Sequence, residues 1–193
     1  PHLPLMRWDF KDQLQASSKQ ERTDDGTPEI TYYVYDAAGQ RVRKVTERQA
    51  PPDKVPSQWK ERIYLGGFEV YRQYNGNGET VKLERETLHV MDDQQRIALV
   101  ETKTLEMEEG VNSPIDLEVP LIRYQLNSQL GSSCVELDDE GWVISYEEYY
   151  PYGSTSYRAA KQGIEPPKRY RYTGKERDDS TGLYYYGARY YAP

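Results

Sequence analysis

Between Lys168 and Tyr191 the chain reads KRYRYTGKERDDSTGLYYYGARYY. Tyr and Arg dominate, Gly punctuates, and apolar residues show no helical spacing, so the stretch predicts strands joined by a turn. The expected hairpin runs out over 169–175, turns over 176–182 and returns over 183–191. Gly174, Gly182 and Gly187 are expected to supply its turn conformations. Tyr184, Tyr185, Tyr186, Tyr190 and Tyr191 are expected to supply its packing.

Working outward, strand–turn–strand units recur with irregular spacers. In residues 31–45, TYYVYDAAGQRVRKV, a β-branched and aromatic strand meets an Asp36-Ala37-Ala38-Gly39 turn and a second strand follows. Asp36 suits closure of an Asx-type turn, and Gly39 suits the positive φ of such a reversal. Further units fall at 88–100, at 133–146 around Gly141, and more faintly at 6–14 and 64–71. Gly66-Gly67 and Gly76-Asn77-Gly78 read as hairpin turns, because no helix start follows them to make a phosphate cradle. Segments 17–28, 49–56, 106–120 and 163–167 read as Pro-, Gly- or acid-rich loops. Only 122–130 leaves room for a helix. The fold class expected is all-β, a meander of antiparallel hairpins, with helix below about a fifth of the residues against the usual ~30–35%.

Composition supports a β-rich chain with wet faces. Of 193 residues, 36% are hydrophobic and 30% charged, yet 19 are Tyr and only 2 are Phe. Tyr carries a large apolar ring with a hydroxyl at its tip, which fits half-solvated packing. The mean hydropathy of −0.96 therefore understates the apolar surface this chain has to bury. A net charge of −7 argues against a nucleic-acid partner. No apolar run is long enough to span a membrane as a helix. The single cysteine, Cys134, leaves no internal disulfide and no cysteine-based zinc site. The chain begins without Met and stops at Pro193 while the Tyr pattern is still running, and both ends read as cut from something longer.

Chemistry-bearing motifs are few. The acidic doublets Asp24-Asp25, Asp92-Asp93, Asp138-Asp139 and Asp178-Asp179 lie where turns are expected, and neighbours on a strand point to opposite faces. They therefore read as turn formers rather than a carboxylate dyad. His2 and His89 lack further ligands at metal spacing, so neither a metal nor a cofactor is expected. Residues 158–189 hold eight Lys/Arg against four Asp/Glu, interleaved with Tyr. Such rings could stack on bases or sugars, or Arg could stack on Tyr across the sheet; the second is the expectation.

These motifs carry a family resemblance. Tyr35-Asp36-Ala37-Ala38-Gly39-Gln40-Arg41 is similar to the YD repeat. Ser145-Tyr146-Glu147-Glu148-Tyr149-Tyr150-Pro151-Tyr152-Gly153 resembles the opening of the RHS repeat-associated core, with Tyr152 in place of the commoner Phe. Thr173-Gly174-Lys175-Glu176-Arg177-Asp178 and Thr181-Gly182-Leu183-Tyr184-Tyr185-Tyr186-Gly187-Ala188-Arg189-Tyr190-Tyr191 match the rest of that core closely. The resemblance implies residues 1–135 as degenerate RHS/YD-repeat hairpins and 136–193 as the core segment, part of a spiral β-shell. Such shells occur in RHS toxins and in the C component of insecticidal Tc toxins. It implies a bacterial protein, secreted or delivered to target cells, whose partners are the rest of the shell and a C-terminal toxin or effector. It also implies scaffold roles for Tyr149, Tyr150 and Gly153 beside the residues named above. In self-cleaving relatives the protease pair lies in Asp-Pro motifs beyond the signature; this sequence has no Asp-Pro, so no catalysis is expected of it. Self-association through an exposed strand edge near 183–191 is a further expectation. The alternative reading is a tyrosine-rich β-domain that binds carbohydrate.

Overall fold

In the computed structural model, residues 3–107, 119–163, 166–187 and 189–193 are described. Twelve strands follow one another in chain order in an antiparallel sheet: β1 Leu5–Trp8, β2 Leu14–Ser18, β3 Ile30–Tyr35, β4 Arg41–Glu47, β5 Gln58–Tyr64, β6 Phe68–Tyr74, β7 Val81–Asp92, β8 Gln95–Glu106, β9 Leu121–Asn127, β10 Ser133–Leu137, β11 Val143–Tyr149 and β12 Thr155–Ala160. Three short strands form a second sheet: β13 Glu176–Arg177, β14 Tyr184–Tyr185 and β15 Tyr190–Tyr191. Among the described residues the only helical element is a 3-10 turn at Tyr172–Gly174. None of the described helices is long and apolar enough to cross a membrane. The all-β meander expected from the strand–turn units is what the chain forms.

One five-residue turn closes hairpin after hairpin. In Asp36–Gln40 the Asp36 amide donates to the Gln40 carbonyl at 2.9 Å and the Gly39 amide returns to the Asp36 carbonyl at 3.1 Å. The same pair of bonds recurs at Asp9–Gln13, Ser128–Ser132, Asp138–Trp142 and Tyr150–Ser154. The fourth residue always has positive φ: Asp12 (59°), Gly39 (79°), Gly131 (75°), Gly141 (86°) and Gly153 (88°). This is a type I reversal followed by a left-handed residue, which places a bulge in the adjoining strand. The pairing accordingly slips at Arg7/Trp8, Val34/Tyr35, Glu136/Leu137 and Glu148/Tyr149. The opening side chain closes four of these turns, as when Asp138 Oδ1 accepts the Trp142 amide at 2.7 Å and Asp36 Oδ1 the Gln40 amide at 2.8 Å.

Segment 122–130, the one stretch with room for a helix, is strand β9 followed by a turn, because Arg123 and Gln125 are buried and alternate with exposed Tyr124 and Leu126, a period of two. One expectation is corrected. The outgoing arm of the C-terminal hairpin is not 169–175. Thr173 (φ 49°) and Gly174 (φ 67°) fold that stretch into the 3-10 turn, and the strand begins only at Glu176. Its return arm is likewise two strands, since Gly187 (φ 81°) reverses the chain between β14 and β15. Loop 49–56 stands as expected, tied by a bridge between Thr27 and Ala50. Most of loop 106–120, Ile164 and Glu165 in loop 163–167, and His2 and Ala188 lie outside the described residues.

The chain divides into two compact units, 1–86 with 102–118, and 87–101 with 119–193. In the first, Leu14, Ala16 and Tyr33 form the apolar centre, and the Tyr33 hydroxyl meets Ser17 Oγ at 2.9 Å. Around them polar groups pair across strands: buried Arg62 with buried Glu69 at 3.0 Å, exposed Arg43 with buried Glu61, and the Tyr74 hydroxyl with Glu61 at 2.8 Å. Arg41 lies over the Tyr64 ring at 4.7 Å and Arg62 over Tyr71 at 4.7 Å, so Arg–Tyr stacking links strands in this unit. Leu14 is fully buried whereas Phe10 is 91% exposed. Leu14→Ala should therefore cost about 2–5 kcal/mol. Phe10→Ala should stay within about 0.5 kcal/mol. Urea unfolding of the two variants checks this, and equal losses would contradict the placement of the core.

Candidate functional site: a buried polar seam under the tyrosine-rich segment

In the second unit the residues withdrawn from water are mostly polar. Ala98, Leu99, Ile144, Tyr170 and Tyr184 are its buried hydrophobic side chains, while Glu101, Arg123, Gln125, Glu136, Ser145, Glu147 and Lys168 are buried among them. Strand alternation creates the seam. Pairing sets Glu136 opposite Gln125 on one side and Ser145 on the other, so these side chains share one face.

Glu136 has no exposed surface, and its carboxylate is fully engaged. It accepts from Gln125 Nε2 at 3.0 Å, Ser145 Oγ at 2.7 Å and Arg123 Nη1 at 3.3 Å. Arg123 in turn reaches Glu101 through Nε at 2.6 Å and donates to the Pro166 carbonyl. Glu147, also without exposed surface, accepts from Thr155 Oγ1 at 2.7 Å and Arg171 Nη1 at 3.2 Å. Lys168 Nζ stands 3.6 Å from the same carboxylate and donates to the Ser133 carbonyl. Removing one member of such a set strands the others in low dielectric, typically at about 3–5 kcal/mol. Burial pushes the Lys168 ammonium below its ordinary value, opposed by the carboxylates of Glu136 and Glu147.

The segment after Lys168 is fastened over this seam by main-chain and tyrosine contacts. Ser133 donates its amide to the Arg171 carbonyl at 3.0 Å, and Thr173 donates its amide to Ser132 Oγ at 3.0 Å. Three tyrosine hydroxyls then address three successive carbonyls of one turn. Tyr172 donates to Pro151 at 2.7 Å, Tyr191 to Tyr152 at 2.7 Å and Tyr184 to Gly153 at 3.3 Å. Behind them the Tyr149, Tyr172 and Tyr184 rings pack in file with centroids 5.9 and 6.0 Å apart. A Cβ on Gly153 would sit 2.5 Å from the Tyr172 ring, so the turn requires glycine for space as well as for its φ. At the other end of the segment Arg96 stacks on Tyr170 at 3.7 Å, with His89 edge-on to that ring at 4.9 Å.

The residues singled out in the sequence fall as follows. Gly39, Gly141, Gly153, Gly174, Gly182 and Gly187 all have positive φ, and all lie in reversals. Tyr184 is fully buried; Tyr149, Tyr185, Tyr190 and Tyr191 are half-buried; Tyr150 and Tyr186 are exposed. Tyr185 packs on Tyr190 at 5.2 Å and Tyr186 on Tyr191 at 6.0 Å. The acidic doublets sit in or beside turns: Asp25 and Asp93 have positive φ, and Asp178 Oδ1 accepts the Ser180 amide at 2.8 Å. A hydrogen bond from Arg22 draws the Asp24 carboxyl down to about 2. No group of three His, Cys, Asp or Glu side chains among the described residues could hold a metal. Sequence reasoning missed Arg123, Glu136, Glu147 and Lys168. The signal that could have found Glu136 and Glu147 is their place at core positions of alternating strands, where a charge has to meet a counter-charge.

No family profile matches the chain. It is 35% identical over 189 residues to toxin subunit YenC1 of Yersinia entomophaga, spanning 97% of this chain and 18% of that protein. It is 38% identical over 162 residues to toxin subunit YenC2 of the same organism, spanning 83% of this chain and 16% of that one. Among solved structures, a crystal structure of TcdB2-TccC3 superposes with a TM-score of 0.79 at 33% identity, over 97% of this chain and 8% of that one. A chain of the Photorhabdus luminescens Tc holotoxin pore superposes with a TM-score of 0.78 at the same identity, again over 97% of this chain and 8% of that one. The chain thus spans less than a fifth of the toxin subunits it matches.

Two outcomes follow from the seam. Gly153→Ala should destabilise the fold by about 1–3 kcal/mol through φ strain and the Tyr172 ring, with thermal unfolding as the measurement. The second concerns alkaline pH. Burial first, then the Glu147 charge, pushes the Tyr149 phenol far up, and burial also raises Tyr184. The folded state therefore keeps protons that the unfolded chain releases from about pH 10 upward, so these groups' stabilisation is complete below about pH 10 and is lost above it. Lys168, lowered by burial, contributes in the opposite sense between its folded value and the ordinary lysine range. With two phenols against one ammonium in the seam, the urea midpoint should fall as pH rises beyond about 10, and less steeply in Tyr149→Phe. A midpoint that rises through that range would contradict the assignment.

Proposed function

We propose, from the premise that this chain belongs to the RHS-containing C-component type of Tc-toxin subunit, that it is a structural segment of a shell enclosing a C-terminal toxin or effector polypeptide. On this reading the segment makes and breaks no bond. Residues 1–135 serve as repeat hairpins and 136–193 as the core segment. The observation that carries the reading is the superposition of 97% of the chain on a Tc-toxin assembly containing TccC3.

The partners proposed are the remainder of the shell, the enclosed polypeptide and the other Tc components named with these relatives. The setting proposed is secretion or delivery to target cells from a bacterium. Strand β15 stands at the edge of its three-stranded sheet, and self-association along that edge is part of the proposal. The scaffold roles proposed for the glycines and tyrosines rest on the turns and the ring file already described.

Limited proteolysis of the longer parent tests containment. The polypeptide following this segment should resist protease until the shell is opened, and a C-terminal region digested as fast as a free peptide would refute it. If the parent cleaves itself, Asp138→Ala and Asp178→Ala should leave cleavage intact while lowering stability by about 0.5–3 kcal/mol. Mass spectrometry of the variants decides this: a folded but uncut Asp178→Ala parent would move the protease into this segment.

A further inference from the structure

A cavity of about 390 Å³ opens beside the 3-10 turn of the second unit, within the ~300–1,000 Å³ range of ligand clefts. Five carboxamide side chains line it: Gln94, Gln95, Gln125, Asn127 and Gln129. Its two charged lining groups are cations, Arg96 and Lys175, and no carboxylate lines it, although the protein as a whole carries a charge of −7. Arg96 is a fixed wall. It donates to His89 Nδ1 at 2.9 Å and to the Gly174 carbonyl at 3.2 Å, and Asn127 Nδ2 donates to its carbonyl at 2.9 Å. Gln125 is buried and held by Glu136 at 3.0 Å. Lys175 is exposed, its ammonium 5.8 Å from the centre of the Tyr186 ring. The carboxamides of Gln94, Gln95 and Gln129 are exposed around the mouth.

We infer that this cavity binds a short extended peptide segment bearing a carboxylate side chain. The exposed carboxamides of Gln94, Gln95 and Gln129 each present a donor and an acceptor in one plane, the pattern that pairs with a peptide unit. Lys175 supplies the counter-charge for a carboxylate, and the lack of lining acids removes the repulsion such a ligand would meet elsewhere on this acidic protein. No aromatic ring lines the cavity, so the stacking face that a pyranose would use is missing there. That the segment comes from the enclosed C-terminal polypeptide rests on the containment reading; the chemistry of the cavity does not.

The test is a titration of the 15N-labelled 193-residue chain with N-acetylated, C-amidated Gly-Glu-Gly, with its Gly-Gln-Gly counterpart and with glucuronate. The acidic peptide should shift the side-chain amide signals of Asn127 and Gln129 and the backbone signals of Gly174 and Lys175. Its Kd should be about fivefold lower than that of the neutral peptide, as one exposed ion pair allows. Lys175→Gln should abolish that difference, and Gln129→Ala should weaken both peptides; both side chains are exposed, so an unchanged spectral dispersion verifies the fold. Signals that do not move at the cavity, equal affinity for the two peptides, or tighter binding of glucuronate would each overturn the inference. The titration needs no parent protein, so its failure leaves containment standing, and unprotected cargo in the parent leaves a positive titration standing.

Discussion

A carboxylate without access to water has to find all its partners inside the protein, and in the second unit two of them, Glu136 and Glu147, organise everything around them. Between them they engage side chains from β9, β11, β12 and the segment that begins at Lys168. Hydrophobic burial is non-directional, and a slipped strand can often exchange one apolar contact for another. Charge-assisted hydrogen bonds are directional, and a slip by one residue would carry Glu136 to the opposite face and leave Arg123 without that counter-charge. Register here is set by polar geometry more than by apolar volume. Such pairs add little net stability over well-packed hydrophobic residues, so their contribution is best understood as specifying one alignment among several.

The first unit follows the same logic with different residues. Its apolar centre is small, and the Thr31–Thr46 hydroxyl pair at 2.9 Å, Arg43–Glu61 and Arg62–Glu69 link neighbouring strands from β3 to β6. The five-residue turn closes hairpins in both units, and the bulge it introduces resets the alternation of the strand beside it. A sheet of twelve strands can then be assembled from hairpins that differ in sequence but share one way of reversing the chain.

The sequence made the strands and turns legible because their signals are local. Asp36 with Gly39 and Asp138 with Gly141 announce a turn within five residues, and alternation on either side announces strands. Tyr150–Ser154 closes in the same way at Gly153, a turn residue the sequence analysis names, whereas Ser128–Ser132 opens on a weaker turn signature and shows itself only through the shared conformation of Gly131 and Gly39. The tyrosine-rich segment misled in detail: a run of Tyr and Arg reads as continuous strand, whereas Thr173, Gly174 and Gly187 break it into a tight turn and three short strands. The charged seam was the least legible part. Nothing local marks Glu147 as buried and Glu148 as exposed; the difference is which face of β11 the segment from Lys168 covers, and that is decided more than twenty residues downstream.

The clamp on the Pro151–Gly153 turn has a chemical asymmetry with an evolutionary edge. Its donors are side chains, the hydroxyls of Tyr172, Tyr184 and Tyr191, while its acceptors are main-chain carbonyls that every amino acid possesses. The ring of Tyr152 is 77% exposed, and the part of that residue engaged in the clamp is its carbonyl oxygen. This explains why Tyr can stand where the resemblance expects Phe: either ring leaves the carbonyl in place. Drift is thus free on one partner of the contact and confined on the other, so the turn can diverge in its exposed side chains while the tyrosines that read it are held to their chemistry.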